Sequence, residues 1–210
     1  MLMAVNDGRR PRSAGVSRSW VFAYDMACPR RARRLRAALA SRQVRSQYSV
    51  FELHMNAAEH RDLLAEMISH CDLDADALAC WAPRRGLQLA WLEGRLRVRD
   101  ASGMGVRQST SEVLQAGNAL VCYDIRDPDR LRRVAAVLAP WAYGVQRSVY
   151  WMRAQSEVIA SVLRRMAQHC HSADALWAYP LAHAGDLWRL QSHSPSLLPC
   201  GGAPRWGNAP

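Results

Sequence analysis

The chain has 210 residues, of which 50% are hydrophobic and 22% charged, and its net charge is +10 at pH 7. This composition is typical of a globular protein and excludes a fibrous repeat or a chain that is disordered throughout. The longest apolar stretch without charge runs from Val134 to Val145. It contains Pro140 and is shorter than the roughly 18 residues that cross a bilayer, so no membrane association is expected.

The charge of the chain indicates what kind of partner it binds, and its N-terminus and cysteines indicate its cellular compartment. All 28 basic residues are arginine, whose planar guanidinium suits phosphate and favours a polyanionic partner. The N-terminal residues lack the apolar core of a secretory signal, which predicts a cytoplasmic protein. The six cysteines contain no Cys-x-x-Cys pair, so they are interpreted as free thiols rather than as a zinc or redox site.

The first predicted elements form one α+β unit. An apolar strand, Trp20–Tyr24, ends at Asp25, and Pro29 starts an amphipathic helix whose outer positions carry arginines. The β-branched and aromatic run Gln47–Phe51 is predicted to be a strand. Asn56, with glutamate three positions later, predicts the start of a second helix, and a short strand follows near Leu78–Trp81.

The second half repeats this unit. Tyr24-Asp25 recurs as Tyr123-Asp124, and the 99-residue offset continues without a gap through Val50, with twelve identities that include Pro29, three arginines and Gln47. The second unit accordingly has predicted strands at Ala119–Tyr123, Gln146–Tyr150 and Leu176–Tyr179. Strand, helix, strands, helix, strand is the ferredoxin-like plan.

The repeat predicts an α+β protein made of two ferredoxin-like (βαββαβ) units that form an intramolecular pseudo-dimer. Units of about 65 residues are marginal alone, and a shared chain favours their pairing, so a monomeric protein is expected. The predicted division is a flexible basic tail (1–18), a first unit (19–83), a connector with a possible β-hairpin or a strand that crosses onto the partner unit (84–118), a second unit (119–190) and a flexible C-terminal tail (191–210).

One motif resembles a known family. The strand ending in Tyr24-Asp25, the arginine-rich helix and the hexapeptide Gln47-Tyr48-Ser49-Val50-Phe51-Glu52 are similar to the CRISPR-associated Cas-two family, the smaller subunit of the spacer-acquisition complex. The second unit departs from the family at Tyr150 and Trp151, where phenylalanine and glutamate are typical. Because family members are usually single-unit homodimers, the chain resembles a fused pair.

The resemblance implies a DNA-binding structural subunit that bridges dimers of the larger integrase subunit and carries duplex spacer precursor. The nucleic-acid contacts it implies are the arginines of the first helix of each unit: Arg30, Arg31, Arg33 and Arg34, with Arg130, Arg132 and Arg133. Some members are described as Mg²⁺-dependent nucleases, which would make Asp25 and Asp124 the catalytic, metal-binding pair. Two carboxylates could hold one Mg²⁺ that activates water.

Each assignment has a structural alternative. Asp25 and Asp124 could begin Asx turns at strand ends. The arginines could form solvated helix faces, and Gln47, Ser49, Gln146 and Ser148 could serve the sheet as well as a ligand. The residues alone do not decide between a DNA-binding scaffold and a metal-dependent endonuclease of RNA or DNA.

Overall fold

The computed structural model describes residues 16–40, 42–47, 50–72, 74–83, 87–92, 95–99, 113–114, 117–181 and 187–190, with only the backbone of 43–47, 91–92, 95–96 and 187–190. The predicted tails, apart from residues 16–18, lie outside these ranges. The described part is a mixed α/β structure with two sheets and four helices. None of these helices is long and apolar enough to cross a bilayer.

The first half has the element order β–α–β–β–α–β. These elements are β1 (Arg18–Asp25), α1 (Pro29–Ala40), β2 (Gln43–Gln47), β3 (Val50–Met55), α2 (Ala57–Ser69) and β4 (Ala77–Trp81). The predicted capping box starts α2: the Asn56 side chain accepts from the N–H of Glu59 at 3.0 Å, and the Glu59 carboxylate accepts from the N–H of Asn56 at 2.9 Å. Local sequence therefore fixes where this helix begins.

The second half has the same order after a connecting hairpin. The hairpin consists of β5 (Gln88–Leu92) and β6 (Arg95–Arg99). The second half comprises β7 (Asn118–Asp124), α3 (Pro128–Leu138), β8 (Ala142–Gln146), β9 (Val149–Arg153), α4 (Ser156–Ala167) and β10 (Ala175–Pro180), followed by β11 (Leu187–Leu190).

The predicted strands at Gln47–Phe51 and Gln146–Tyr150 are wrong at their centre. In the second half, β8 ends at Gln146, Arg147 and Ser148 form a turn, and β9 begins at Val149. Gln146 pairs with Val149 across this two-residue connection, as in a tight hairpin. In the first half Gln47 pairs with Val50 in the same way, and residues 48–49 lie outside the described ranges. The motif therefore marks a hairpin rather than one strand.

The two halves exchange their last strands. The first sheet has the order β11-β4-β1-β3-β2, so its outer strand β11 comes from the end of the second half. The second sheet has the order β6-β5-β10-β7-β9-β8, so β5 continues the second half's sheet although it follows β4 in the chain. The predicted second unit (119–190) therefore contributes its last strand, β11, to the first sheet, and β5 of the predicted connector (84–118) joins the second sheet.

Three apolar clusters form the core of the part of the chain that the structure describes. One lies between the first sheet and α1 and α2, and another lies between the second sheet and α3 and α4. A third, which we call the intersheet cluster, contains residues of both sheets: Val21, Ala23, Ala79, Trp81, Leu120, Cys122, Val145, Val149, Trp151, Tyr179 and Leu181. Alternate residues of β1 and β7 point to opposite faces, so each central strand serves a helix layer and the intersheet cluster.

Trp81 tests how far the two sheets depend on this cluster. Its side chain is fully buried there, so Trp81→Ala is expected to lower the free energy of unfolding by about 3–5 kcal/mol. Urea denaturation measures the loss, and hydrogen exchange should show lower protection in both β1 and β7. His54→Ala, an exposed change on β3, is the control and should alter stability by less than about 0.5 kcal/mol. Loss of protection in the first sheet alone would contradict a shared cluster.

Candidate functional site

The two predicted aspartates occupy matching positions at the ends of central strands. Asp25 is the last residue of β1 and pairs with Ala77, while Asp124 is the last residue of β7 and pairs with Ala175. Each strand has neighbours on both sides in its sheet. Both side chains are partly exposed. The sheets therefore present each carboxylate on a rigid backbone.

Both aspartates line the same cleft, although 99 positions separate them in the chain. The cleft has a volume of about 320 Å³. Its walls come from the two halves: Tyr24, Asp25, Met26, Ala32, Arg36 and Val50 from the first, and Cys122, Tyr123, Asp124, Gln146, Arg147, Ser148 and Trp177 from the second. Packing of the two sheets thus places two acidic side chains, Arg36 and the turn Gln146–Ser148, which contains Arg147, around one space.

The cleft is not symmetric, because the two tyrosines in it have different partners. The Tyr24 hydroxyl accepts a hydrogen bond from Nε of Arg36 at 3.2 Å, whereas the Tyr123 hydroxyl donates to that of Tyr150 at 3.2 Å. Phe51, at the position equivalent to Tyr150, has no hydroxyl to offer Tyr24. Burial, followed by the contact with Tyr150, raises the pKa of Tyr123 well above its usual range.

The donor set of the cleft fits a hard cation that keeps most of its water. Mg²⁺ is commonly held by one or two carboxylates, with water and substrate phosphates completing the shell. Asp25 and Asp124 supply two carboxylates to the cleft, and no group of three or more His, Cys, Asp or Glu side chains suited to a metal occurs in the described residues. Gln146 also lines the cleft, and its Oε1 is buried without a hydrogen-bond partner in the described part of the chain. The residues present could supply two ligands to Mg²⁺, but not a complete cage.

A buried carboxylate in each half binds an arginine of the first helix of that half. Asp76 accepts from Nε of Arg31 at 2.6 Å, from the N–H of Ala27 at 2.9 Å and from the N–H of Asp72 at 2.9 Å. Asp174 accepts from Nε of Arg130 at 2.7 Å. We call these contacts the Arg–Asp latches. They tie the start of α1 and α3 to the loops that precede β4 and β10.

The latches change the interpretation of two predicted DNA contacts. Arg31 and Arg130 each use two guanidinium nitrogens on a carboxylate whose side chain is almost fully buried. Burial alone raises the pKa of Asp76, but the hydrogen bonds from Arg31 and the backbone outweigh it, so the net pKa is lowered. Arg31 and Arg130 therefore have a structural task that the helical spacing did not reveal.

The other predicted arginines face solvent. Arg30, Arg33 and Arg34 on α1, and Arg132 and Arg133 on α3, are exposed. Arg132 pairs with Asp129 one turn earlier, which is a surface contact of small energetic weight. Asp129 stands where the first half has Arg30, so α1 carries the denser positive surface.

Sequence reasoning missed several cleft residues. Tyr24 and Tyr123 precede the aspartates in both units, and that repetition was the available signal. Arg36 and Arg147 are not repeated, since Ala135 and Tyr48 occupy their equivalent positions. Of the four polar motif residues, Gln146 and Ser148 line the cleft; the Gln47 side chain and Ser49 lie outside the described part.

Removing the carboxylate of one Arg–Asp latch tests what the latch contributes to the free energy of unfolding. Asp76→Asn is expected to lower the free energy of unfolding at pH 7 by about 1.5–3 kcal/mol, because a hydrogen bond between charged partners is lost. The folded-state pKa of Asp76 is lowered, so this stability is fully present above about pH 4 and disappears as the pH falls toward the folded-state value. Urea titrations from pH 7 to pH 2.5 should show the difference between parent and variant shrinking below pH 4.

Asp129→Asn is the matched control, because it removes a carboxylate from an arginine pair at the surface of α3. Its effect should stay within about 0.5 kcal/mol at every pH. If both variants lost the same free energy of unfolding, burial of the Asp76 carboxylate would contribute nothing to stability.

One comparison with known proteins identifies the family. The CRISPR associated protein Cas2 family matches two segments, residues 19–82 and 118–186, which together make up more than half of the chain. No curated protein matches the sequence at a significant level. Apart from Arg18, the two segments contain β1 to β4 and β7 to β10, including both aspartates and both latches. The chain therefore belongs to the CRISPR associated protein Cas2 family and contains two copies of its unit.

Proposed function

We propose that this protein is a DNA-binding structural subunit of a cytoplasmic CRISPR spacer-acquisition complex. In this proposal the two halves are ferredoxin-like units that form a pseudo-dimer within one chain. The chain bridges dimers of the larger integrase subunit and supports duplex spacer precursor. Family membership supplies the CRISPR association. The observation that carries the DNA-binding role is the pair of exposed arginine rows at equivalent positions of α1 and α3.

The charge and the anchoring of the two helices support this role. The chain has a net charge of +10, and phosphate contacts by arginine position a duplex without reading its sequence. The latches fix the N-terminal turn of each helix through Arg31 and Arg130, next to the exposed Arg33, Arg34, Arg132 and Arg133. A rigid helix loses less conformational entropy when it binds a rigid duplex. The latch arginines thus support the DNA-contacting arginines rather than join them.

Salt dependence tests the DNA surface. Replacing Arg33, Arg34, Arg132 and Arg133 by alanine should weaken binding to a duplex and reduce the slope of log K against log salt by about 3.6, since each phosphate contact contributes about 0.9. Fluorescence anisotropy with a labelled duplex between 50 and 300 mM salt gives both quantities.

The control removes the same charge elsewhere. Replacing Arg61, Arg153, Arg164 and Arg165, which are exposed on α2, β9 and α4, also lowers the net charge by four. This variant should keep most of the slope of the parent protein. If both variants lose the same slope, the duplex responds to total charge, and the α1 and α3 rows are not its binding surface.

A second candidate function is an Mg²⁺-dependent endonuclease. The observation that favours it is the shared cleft, which brings Asp25 and Asp124 to one space. Here Asp25 and Asp124 would hold the ion, and the ion would polarise a phosphoryl oxygen and activate water. Arg36 and Arg147, which also line the cleft, supply positive charge toward a phosphodiester.

Substitution of the aspartates separates the two functions. Asp25→Asn/Asp124→Asn should abolish Mg²⁺-dependent cleavage of RNA or DNA and the calorimetric signal of Mg²⁺ binding, while duplex affinity in EDTA is retained. Asp62→Asn/Asp129→Asn, two changes on helices outside the cleft lining, is the control. Cleavage that survives the double substitution at the cleft would remove these residues from catalysis. Absence of cleavage in the parent protein would leave the scaffold function alone.

A further inference from the structure

The contact between the sheets includes a buried hydrogen bond that joins the two halves. The Tyr179 hydroxyl on β10 donates to Oε1 of Glu52 on β3 at 2.7 Å. Glu52 is 8% exposed and Tyr179 is 3% exposed, so water does not compete for this contact. Glu52 also lies near Cys122, and its charge adds to burial in raising the pKa of that thiol. The Glu52 carboxylate of the first half thus contacts the second half.

Strand register shows which positions of the two halves are equivalent. Val21 on β1 pairs with Glu52 on one side and Trp81 on the other. Leu120 on β7 pairs with Trp151 on one side and Tyr179 on the other. Val21 and Leu120 are related by the 99-residue offset, so Glu52 is equivalent to Trp151 and Trp81 is equivalent to Tyr179. These three-residue rows form facing parts of the intersheet contact.

The two rows carry different chemistry at equivalent places. The first reads Glu–Val–Trp and the second Trp–Leu–Tyr, so only the Glu52 and Tyr179 positions combine a carboxylate with a phenol. Trp81 and Trp151 belong to the same intersheet cluster, and their indole N–H groups have no acceptor in the described part of the chain. Trp81 also packs edge-on against Tyr179, with ring centroids 5.8 Å apart. Glu52 and Tyr179 therefore form a hydrogen bond, whereas the equivalent positions hold Trp151 and Trp81, which pack in the intersheet cluster.

We infer that these rows make the intersheet contact selective, so that a first half pairs with a second half and rejects the like half of another copy. Two second halves would place each Tyr179 hydroxyl opposite a Trp151, which offers no acceptor to a buried O–H. Two first halves would place each Glu52 carboxylate opposite a Trp81, so neither would receive the hydrogen bond that Tyr179 donates in the unlike pair. Losing a hydrogen bond to a buried carboxylate shifts an equilibrium by about tenfold or more.

This selectivity gives the protein a fixed polarity. A symmetric dimer of identical units presents the same surface at both ends, whereas a pair held by unlike rows always places one first half and one second half. In a pair of like halves the buried hydrogen bond is missing, and this acts against mispairing. In a pair of unlike halves the hydrogen bond forms, and this favours correct pairing. A partner that binds across both halves therefore meets two distinct ends in a defined order.

A chain cut in the connector measures the preference directly. A protease site inserted between residues 101 and 112 allows the folded protein to be cleaved into two pieces, which are then unfolded in urea and refolded together at low micromolar concentration. Native mass spectrometry distinguishes the mixed pair from the two like pairs by mass. Random pairing gives one half mixed pairs, and we expect at least about nine tenths.

The matched variant makes the rows alike. Trp81→Tyr/Trp151→Glu gives both rows a glutamate and a tyrosine, and its fraction of mixed pairs should fall clearly below that of the parent. Trp81→Phe/Trp151→Leu removes the same two indoles without creating a second carboxylate, and it should keep a majority of mixed pairs. Random pairing of the parent pieces, or equal fractions for parent and symmetrised protein, would overturn the inference.

If the cut pieces do not reassociate, stability measurements on the intact chain test the inference. Tyr179→Phe and Glu52→Leu are combined in a double-mutant cycle, with urea midpoints as the readout. We expect the double variant to be more stable than the sum of the single losses predicts, since a leucine side chain on β3 needs no hydrogen-bond donor. Strict additivity would show that the buried contact contributes nothing to pairing and would also overturn the inference.

Discussion

Each sheet in this protein has two apolar faces, and the helices cover only one of them. The face formed by Val21, Ala23 and Trp81 in the first sheet, and by Leu120 and Tyr179 in the second, must be buried elsewhere, and the two faces bury each other. Exposure of apolar area costs about 25 cal/mol per Å², so an isolated half would be destabilised by its own sheet. The cleft exists because this burial brings the ends of β1 and β7 together.

Strand exchange strengthens the same association through the backbone. β11 adds to β4 and β5 adds to β10, so each sheet gains a row of hydrogen bonds from a strand that belongs to the other half by sequence. An unpaired strand edge is a site for unwanted pairing, and the exchanged strands cover the β4 and β10 edges. In the proposed role as a rigid support for DNA, two linked sheets would hold the arginine helices at a constant separation.

Duplication allowed the two halves to diverge where symmetry would otherwise impose identity. Tyr24 contacts Arg36 while Tyr123 contacts Tyr150, and Glu52 is matched by Trp151. In a homodimer a substitution appears on both sides of the axis, so a favourable unlike pair such as Glu52 with Tyr179 cannot be created on one side alone. A single chain removes this constraint, which explains how the interface and the cleft became asymmetric while both Arg–Asp latches stayed.

The sequence by itself determined the repeat, the helix starts at Pro29, Asn56 and Pro128 and the central strands that end at Asp25 and Asp124, because these depend on local periodicity, capping and the repeated motif. It did not place the hairpin turn within Gln146–Tyr150, since a run of β-forming residues looks the same whether or not it reverses direction. The tertiary structure alone decided which arginines face solvent: Arg31 and Arg33 occupy the same helix and look alike in sequence, but only Arg31 meets a buried carboxylate 45 residues away. It also decided the strand exchange and the shared cleft, because hydrogen bonding between β11 and β4 and burial of two sheet faces join segments that no local pattern connects.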